Sequence, residues 1–417
     1  MAAQKAGATF PNFADGDVSV VLSSARQYQL HSNILKNGSA TFRELLSEES
    51  AAKLTRAAIN KKKVVRWRLE LTKQNYNDEN SYYLKKVKVH EDGVAVDARN
   101  FGLSLENGRA INPRYAAYEA VLRALYFEPL NIGDPNVDAL TNLLEVAMEV
   151  TATAEYLQCI DIVTKPIEAT LLGTGQDLQR SIYNNPVSWI DFAHRLRSRA
   201  LFREALIHAT GQYFTDMSQE AVKELPVAVA ELLNKRANRL KQAVKDSMVK
   251  ALTYYPTYMQ REETLGRADK DSTGQASYAK QVYEWQAITI LRQWLAAQIA
   301  LDETHQAKDI GKSVVDVLLQ GGDAYMDKPS LGMFHRYFPM TGKGKNVLEH
   351  KLNQMKEDIK PFFAALVQNH SQLSNAEKSL DYFTCFGVGP GEYPWEEQEV
   401  VEGSEEEETG NEMEESD

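Results

Sequence analysis

A carboxylate and an imidazole, Asp17 and His31, flank a short run of alternating apolar residues near the start of the chain, and such a pair has the chemistry for general acid–base catalysis. The remaining histidines, His90, His194, His208, His305, His335, His350 and His370, show no His-x-x-x-His spacing. The two cysteines, Cys159 and Cys385, form neither a Cys-x-x-Cys motif nor a disulfide framework, which points to a reducing compartment. A metal site would need ligands converging from distant segments, so none is expected. "MTGKGKN" (340–346) resembles half a phosphate loop but lacks the upstream glycine spacing and the apolar strand that feeds one, and it reads as a flexible polar turn. "GVGPGE" (387–392) likewise lacks the strand and helix of a dinucleotide fingerprint, and no Gly-x-Ser-x-Gly elbow occurs. No cofactor is implied, and the chain is not expected to be an enzyme.

The stretch "NKKKVVRWRLELTK" (60–73) offers binding chemistry instead. Lys61, Lys62, Lys63, Arg66 and Arg68 have the charge to touch phosphates or to be read as a nuclear-import signal. Val65, Trp67, Leu69 and Leu71 alternate with Arg66, Arg68 and Glu70, however, which is the pattern of a half-buried strand with a charged outer face. The alternation favours the strand, and one basic strand on a nearly neutral body argues against nucleic acid as the main partner.

The elements that must position these residues follow from periodicity. Val18, Val20 and Leu22, then Tyr28 and Leu30, predict a hairpin around "SSAR". A helix follows in "ATFRELLSEE", capped either by Thr41 with Glu44 or by Ser39. "VVRWRLEL", "YYLKKVKV" and "GVAV" read as strands. Tyr118, Val121, Leu122 and Leu125 form the stripe of an amphipathic helix. Asp134-Pro135 is expected to open another, carrying Leu140, Leu143, Leu144 and Ala147, and Tyr156, Leu157 and Ile160 to share a third. From Pro166 onward the pattern is helical, including 185–214, 227–252, 278–301 and 345–370, with "REETLGRADKDSTGQAS" (261–277) as a loop or linker.

Residues 15–46 resemble the start of a BTB/POZ domain through Asp17-Val18, Tyr28-Gln29-Leu30-His31, Leu35 and Ser39-Ala-Thr-Phe42. "YEAVLRALYFEPLNI" and "LLEVAMEVTATAEYLQCIDIV" look like that family's later helices, and "LFREALIHATGQY" is similar to the BACK-like helical region that follows the domain in many fungal members. The resemblance implies structural roles for Asp17, His31, Leu35 and Ser39. It also implies a cullin-docking element, in which Phe42, Leu46 and Glu48 would present an apolar anchor beside a charge; the alternative is that Leu46 is core and Glu48 a helix-end charge. The family's homodimer is a further implication, although only a dozen residues precede the first strand, where dimerising members carry a longer helix. An insert of about 50–113 also departs from the family's pattern.

Charge completes the expectations. The net charge is −11, yet no Lys or Arg occurs from Ser379 to Asp417, which hold Asp381, Glu392 and twelve acidic residues after Trp395. The tail has too little apolar surface to offset its ordering entropy and reads as disordered. Nothing approaches the roughly 18 apolar residues of a membrane span, and "MAAQKAGATF" lacks a signal-peptide core. The expected fold is α+β: a BTB/POZ-like domain over 13–163, a BACK-like helical region over 164–254, a helical region over 255–395 and the acidic tail 396–417. The expected function is an intracellular protein–protein interaction adaptor or scaffold in cytoplasm or nucleus, in its most developed form a substrate receptor of a cullin-3 ubiquitin ligase. The alternative is a nuclear, transcription-associated BTB scaffold that binds no cullin.

Overall fold

The computed structural model describes residues 12–73, 82–96, 98, 112–215, 217, 219–259, 281–301, 304–374 and 380–396. The acidic tail beyond Glu396, the stretch 261–277, the first eleven residues and parts of the insert (74–81, 97 and 99–111) lie outside them. The fold is mixed α+β, a small sheet followed by mostly helical chain. Contacts divide it into two compact units. The first comprises residues up to Leu178 with Phe192–Ala200; the second comprises Gln179–Asp191 with residues from Leu201 onward.

The first unit holds β1 (Val18–Val21), β2 (Gln27–Leu30), β3 (Trp67–Lys73) and β4 (Tyr82–Val87), in the order β2-β1-β3-β4. β1 pairs antiparallel with β2 (Val18 opposite Leu30) and parallel with β3 (Val18 opposite Trp67). Because β1 is an interior strand, Val18, Val20 and Val21 are all fully buried, and the expected alternation gives way to an apolar run. "GVAV" forms no strand of its own, only an isolated bridge between Val89 and Ala95.

The helices of this region are α1 (Ser32–Gly38), α2 (Ala40–Leu45), α3 (Arg56–Asn60), α4 (Pro113–Leu125), α5 (Leu140–Tyr156) and α6 (Ile160–Gly173). Ser39 is the cap of α2, its Oγ accepting from the Phe42 amide at 3.1 Å, while the Thr41 hydroxyl donates to the Tyr156 carbonyl at 2.9 Å. Asp134-Pro135 opens a turn rather than a helix. The Asp134 carboxylate accepts the Asn136 amide at 2.9 Å, a local bond that competes with helix, and α5 starts only at Leu140. Tyr156 and Ile160 fall on different helices, separated by Gln158 at a φ of 51°.

The chain continues through α7 (Gln176–Asn184), α8 (Pro186–Arg195), α9 (Arg199–Gln212), α10 (Gln219–Glu224) and α11 (Val227–Thr253). In the second unit these are followed by α12 (Val282–Ala300), α13 (Lys312–Gln320), α14 (Gly332–Tyr337) and α15 (Gly342–Ile359). A 3₁₀ stretch, Lys360–Val367, follows α15. Leu240, Val244 and Met248 of α11 share one core with Ile288, Leu291 and Leu295 of α12, Val315 and Leu318 of α13, Leu348, Leu352 and Met355 of α15, and Phe363 and Phe383. No described helix is long and apolar enough to cross a membrane.

Candidate protein-interaction site

The surface with binding character lies on α14 and the first turns of α15. "MTGKGKN" is no polar turn: Thr341 caps α15, its Oγ1 accepting the Gly344 amide at 3.2 Å, so Gly342 onward is helical. Lys328, Leu331, Gly332, His335, Arg336, Gly342, Lys345, Asn346 and Glu349 line an open groove of about 510 Å³. Lys328 pairs with Glu349 at 3.3 Å across it. Beside the groove α14 presents Met333, Tyr337 and Phe338, which are 56%, 76% and 55% exposed. The Phe338 ring stacks on Phe334 at 5.1 Å, so the ridge is ordered by its own contacts while its outer faces stay wet. Large apolar groups concentrated on one six-residue helix and the residue that ends it, beside cationic side chains, suit a protein partner.

A buried cation holds the loop leading into this surface. Lys356 of α15 is 1% exposed, and its Nζ donates to the carbonyls of Gly322 and Tyr325, each at 2.7 Å. Burial holds this ammonium below the usual lysine range, and the carbonyls take the place of its lost hydration.

Residues 256–365 match the FF domain, in its fungal form. The matched segment contains α12 to α15, and therefore the groove and the aromatic ridge. No curated protein and no solved structure matches the chain.

The FF match corrects the BTB/POZ resemblance, since the matched family lies at 256–365 and no BTB/POZ family is found over residues 13–163. The adaptor, cullin-receptor and BTB-scaffold readings fall with it. The geometry supplies a physical reason at the docking element. Phe42 and Leu46 are both fully buried, so no apolar anchor is presented. Glu48 is exposed, but it accepts from Arg66 at 2.7 Å and pairs with Lys36 at 3.3 Å, and these cations hold its carboxyl below the usual carboxylate range.

Asp17 and His31 do not face each other as an acid–base pair. Asp17 accepts the Ser32 amide and hydroxyl, each at 2.7 Å, which closes the hairpin onto the first turn of α1. His31 contacts the Tyr126 hydroxyl through Nδ1 at 3.2 Å and Asp15 through Nε2 at 3.3 Å. Leu35 is fully buried. In the basic stretch, Lys61, Lys62 and Lys63 are exposed at the end of α3. Arg66 lies 4.5 Å over the Trp67 ring and Arg68 pairs with Glu70 at 2.8 Å. Glu70 is buried, so β3 lacks the wholly charged outer face that its alternation suggests.

The structure also assembles a constellation that spacing hides. Glu204 and His208 of α9 meet Ser371 and Tyr382. Ser371 Oγ donates to Glu204 at 2.7 Å and lies 3.0 Å from His208 Nε2. These are the residue types of a hydrolytic triad, but Glu204 approaches the same Nε2, at 3.0 Å, and Tyr382 occupies Nδ1 at 2.6 Å. A triad needs its carboxylate on the ring nitrogen opposite the serine, and an accessible nucleophile. His208 is fully buried, so the cluster locks the segment after the 3₁₀ stretch onto α9. Gly211 belongs to the same lock, because a Cβ there would collide with the Tyr382 ring and the Phe383 carbonyl. Burial pushes the thiols of Cys159 and Cys385 up, to about 12 and about 11, which leaves neither poised as a nucleophile. Among the described residues, no group of three or more His, Cys, Asp or Glu is placed to hold a metal ion.

Proposed function

We propose that the chain is a protein-interaction component whose FF segment holds a protein partner on the face formed by α14 and the start of α15, and that it carries out no chemistry of its own. The observation that carries this reading is the FF match over 256–365, a family that usually mediates protein interactions in transcription- or splicing-associated proteins. Within that segment, Met333, Tyr337 and Phe338 stand exposed beside the groove. The partner is thus a component of transcription or splicing, and the protein works in the nucleus, where the exposed Lys61, Lys62 and Lys63 suit an import receptor. A non-catalytic role is supported by the burial of Glu204 and His208 and by Glu204 and Ser371 meeting the same ring nitrogen of His208.

The test is affinity capture from nuclear extract on the full chain and on a Tyr337→Ala/Phe338→Ala variant, with bound proteins identified by mass spectrometry. Transcription or splicing proteins retained by the wild type and lost with the variant are the expected result. Equal retention by both chains would place binding elsewhere, and the absence of any such protein would reject the reading.

A further inference from the structure

α12 has no charged face to turn to water. Of its 19 residues only Glu284 and Arg292 are charged. Both are committed within the fold: Glu284 pairs with Lys351 at 3.1 Å, and Arg292 Nη2 donates to the Tyr254 carbonyl at 2.9 Å. One side of the helix belongs to the core through Ala287, Ile288, Leu291 and Leu295. The opposite side is exposed and consists of Val282, Trp285, Thr289, Gln293, Ala296 and Ala300, with Ala297 at its margin. At about 100° per residue these positions form a single stripe across the helix from Leu291. A surface helix ordinarily carries charged and polar residues on its outer face. This stripe holds no charge along its length of about 28 Å.

The stripe is also graded in size. Its N-terminal half carries Val282 and Trp285. The Trp285 ring is 45% exposed and is held edge-on against Tyr255 at 5.7 Å, so it is ordered before it meets anything. The C-terminal half carries only alanines, Ala296, Ala297 and Ala300, and the neutral hydrogen-bonding groups Thr289 and Gln293 lie between the two halves. Facing positions that alternate large and small pack without voids. A parallel copy would set Trp285 against Trp285 and leave a gap between the alanines. An antiparallel copy sets the large half of each stripe against the small half of the other.

We propose that α12 is a homodimer interface, at which two copies of the chain pack this stripe antiparallel about a two-fold axis near Leu291. Trp285 of one copy then covers Ala297 of the other, Val282 meets Ala300, and Thr289 meets Gln293, each contact being made twice. A second copy is the occupant because the stripe supplies its own complement in bulk and opposes no like charges. A face of this length on a helix about 10–12 Å across gives a paired burial on the order of 1,000 Å². That is the low end for a specific interface, so the dimer is reversible and depends on concentration. The inference does not rest on the partner-binding reading, whose ridge is on α14. A dimer carries two such ridges and gains avidity for a partner with repeated sites.

Sedimentation equilibrium of the full chain from about 1 to 100 µM tests the pairing. The expected result is a monomer–dimer equilibrium that survives about 0.5 M NaCl, because no ion pair contributes to it. Ala297→Glu places a charge under Trp285 and should weaken the dimer at least about tenfold, with an unchanged thermal melt because Ala297 is exposed. Register is read by disulfide trapping, in which a Thr289→Cys chain is mixed with a Gln293→Cys chain under a mild oxidant; the native Cys159 and Cys385 are buried. The mixture should couple faster than either variant alone. A wild type that stays monomeric throughout the range, a dimer that Ala297→Glu leaves intact or that salt dissolves, or coupling of Thr289→Cys to itself as fast as in the mixture would each overturn the proposal.

Discussion

Leu46 shows how one side chain's environment decides its role. Its position beside Glu48 suits an exposed anchor, but it is fully buried. Leu46→Ala should therefore cost about 2–5 kcal/mol, read as a lowered urea midpoint, because a buried methyl cluster is lost and the cavity closes only in part. A change below about 0.5 kcal/mol would show that Leu46 is not core. Glu204 gives a prediction in pH. Burial raises its pKa, but the bonds from His208, Ser371 and the Gln372 amide outweigh burial and leave it below the ordinary value. A carboxylate depressed in the folded state contributes stability above its unfolded pKa of about 4.3, and that contribution is lost as pH falls through the folded value. Glu204→Gln should thus weaken the protein by about 1–3 kcal/mol at pH 7 and flatten its acid-unfolding slope below about pH 4. Urea midpoints at both pH values check this, and an unchanged slope would exclude Glu204 as the group responsible.

At the scale of elements, short helices take their placement from caps and tertiary bonds rather than propensity. α2 is six residues long and begins at Ser39, whose Oγ caps the Phe42 amide and also donates to the Leu157 carbonyl. Ser39→Ala should cost about 1–2 kcal/mol, measured by thermal melting, whereas Thr41→Val should cost less because Thr41 is not the cap. α14 is also six residues long, but its aromatic outer face is solvated. The Tyr337→Ala/Phe338→Ala variant should accordingly change stability by no more than about 0.5 kcal/mol while it removes partner binding. A large loss of stability would instead assign the ridge to the fold.

At the scale of the molecule, the FF match is shorter than the core it belongs to. Leu240, Val244, Met248 and Ala251 of α11, together with Phe383 and Cys385, lie outside residues 256–365 and pack in the same cluster as the helices of the matched segment. Each large apolar side chain contributes about 1.5–3 kcal/mol on burial. Cutting them away removes free energy comparable to the roughly 5–15 kcal/mol that holds a domain together. A fragment of 256–365 should lack a cooperative melt by circular dichroism, and one spanning 201–396 should show it. Cooperative melting of the shorter piece would mean that α11 is dispensable.

Sequence alone located the first hairpin, the helical stripe of α4, the start of α11 just after Pro226 and the change from strands to helices, because each is a local repeat of apolar residues. It also located the acidic tail, which is a matter of composition. It misread "MTGKGKN", where one threonine cap outweighs two glycine–lysine pairs, and it passed over the "MFHRYF" ridge, because a helix of six residues is too short to display a period. Other features are fixed only by residues far apart in the chain. Tyr382 stands 174 positions from the His208 it locks, and Glu392 stands 156 from Arg236. Whether Leu46 faces a partner or the core depends on long-range packing against which the local spacing is neutral. Spacing reports which face of an element is apolar; only the packed chain determines what that face meets.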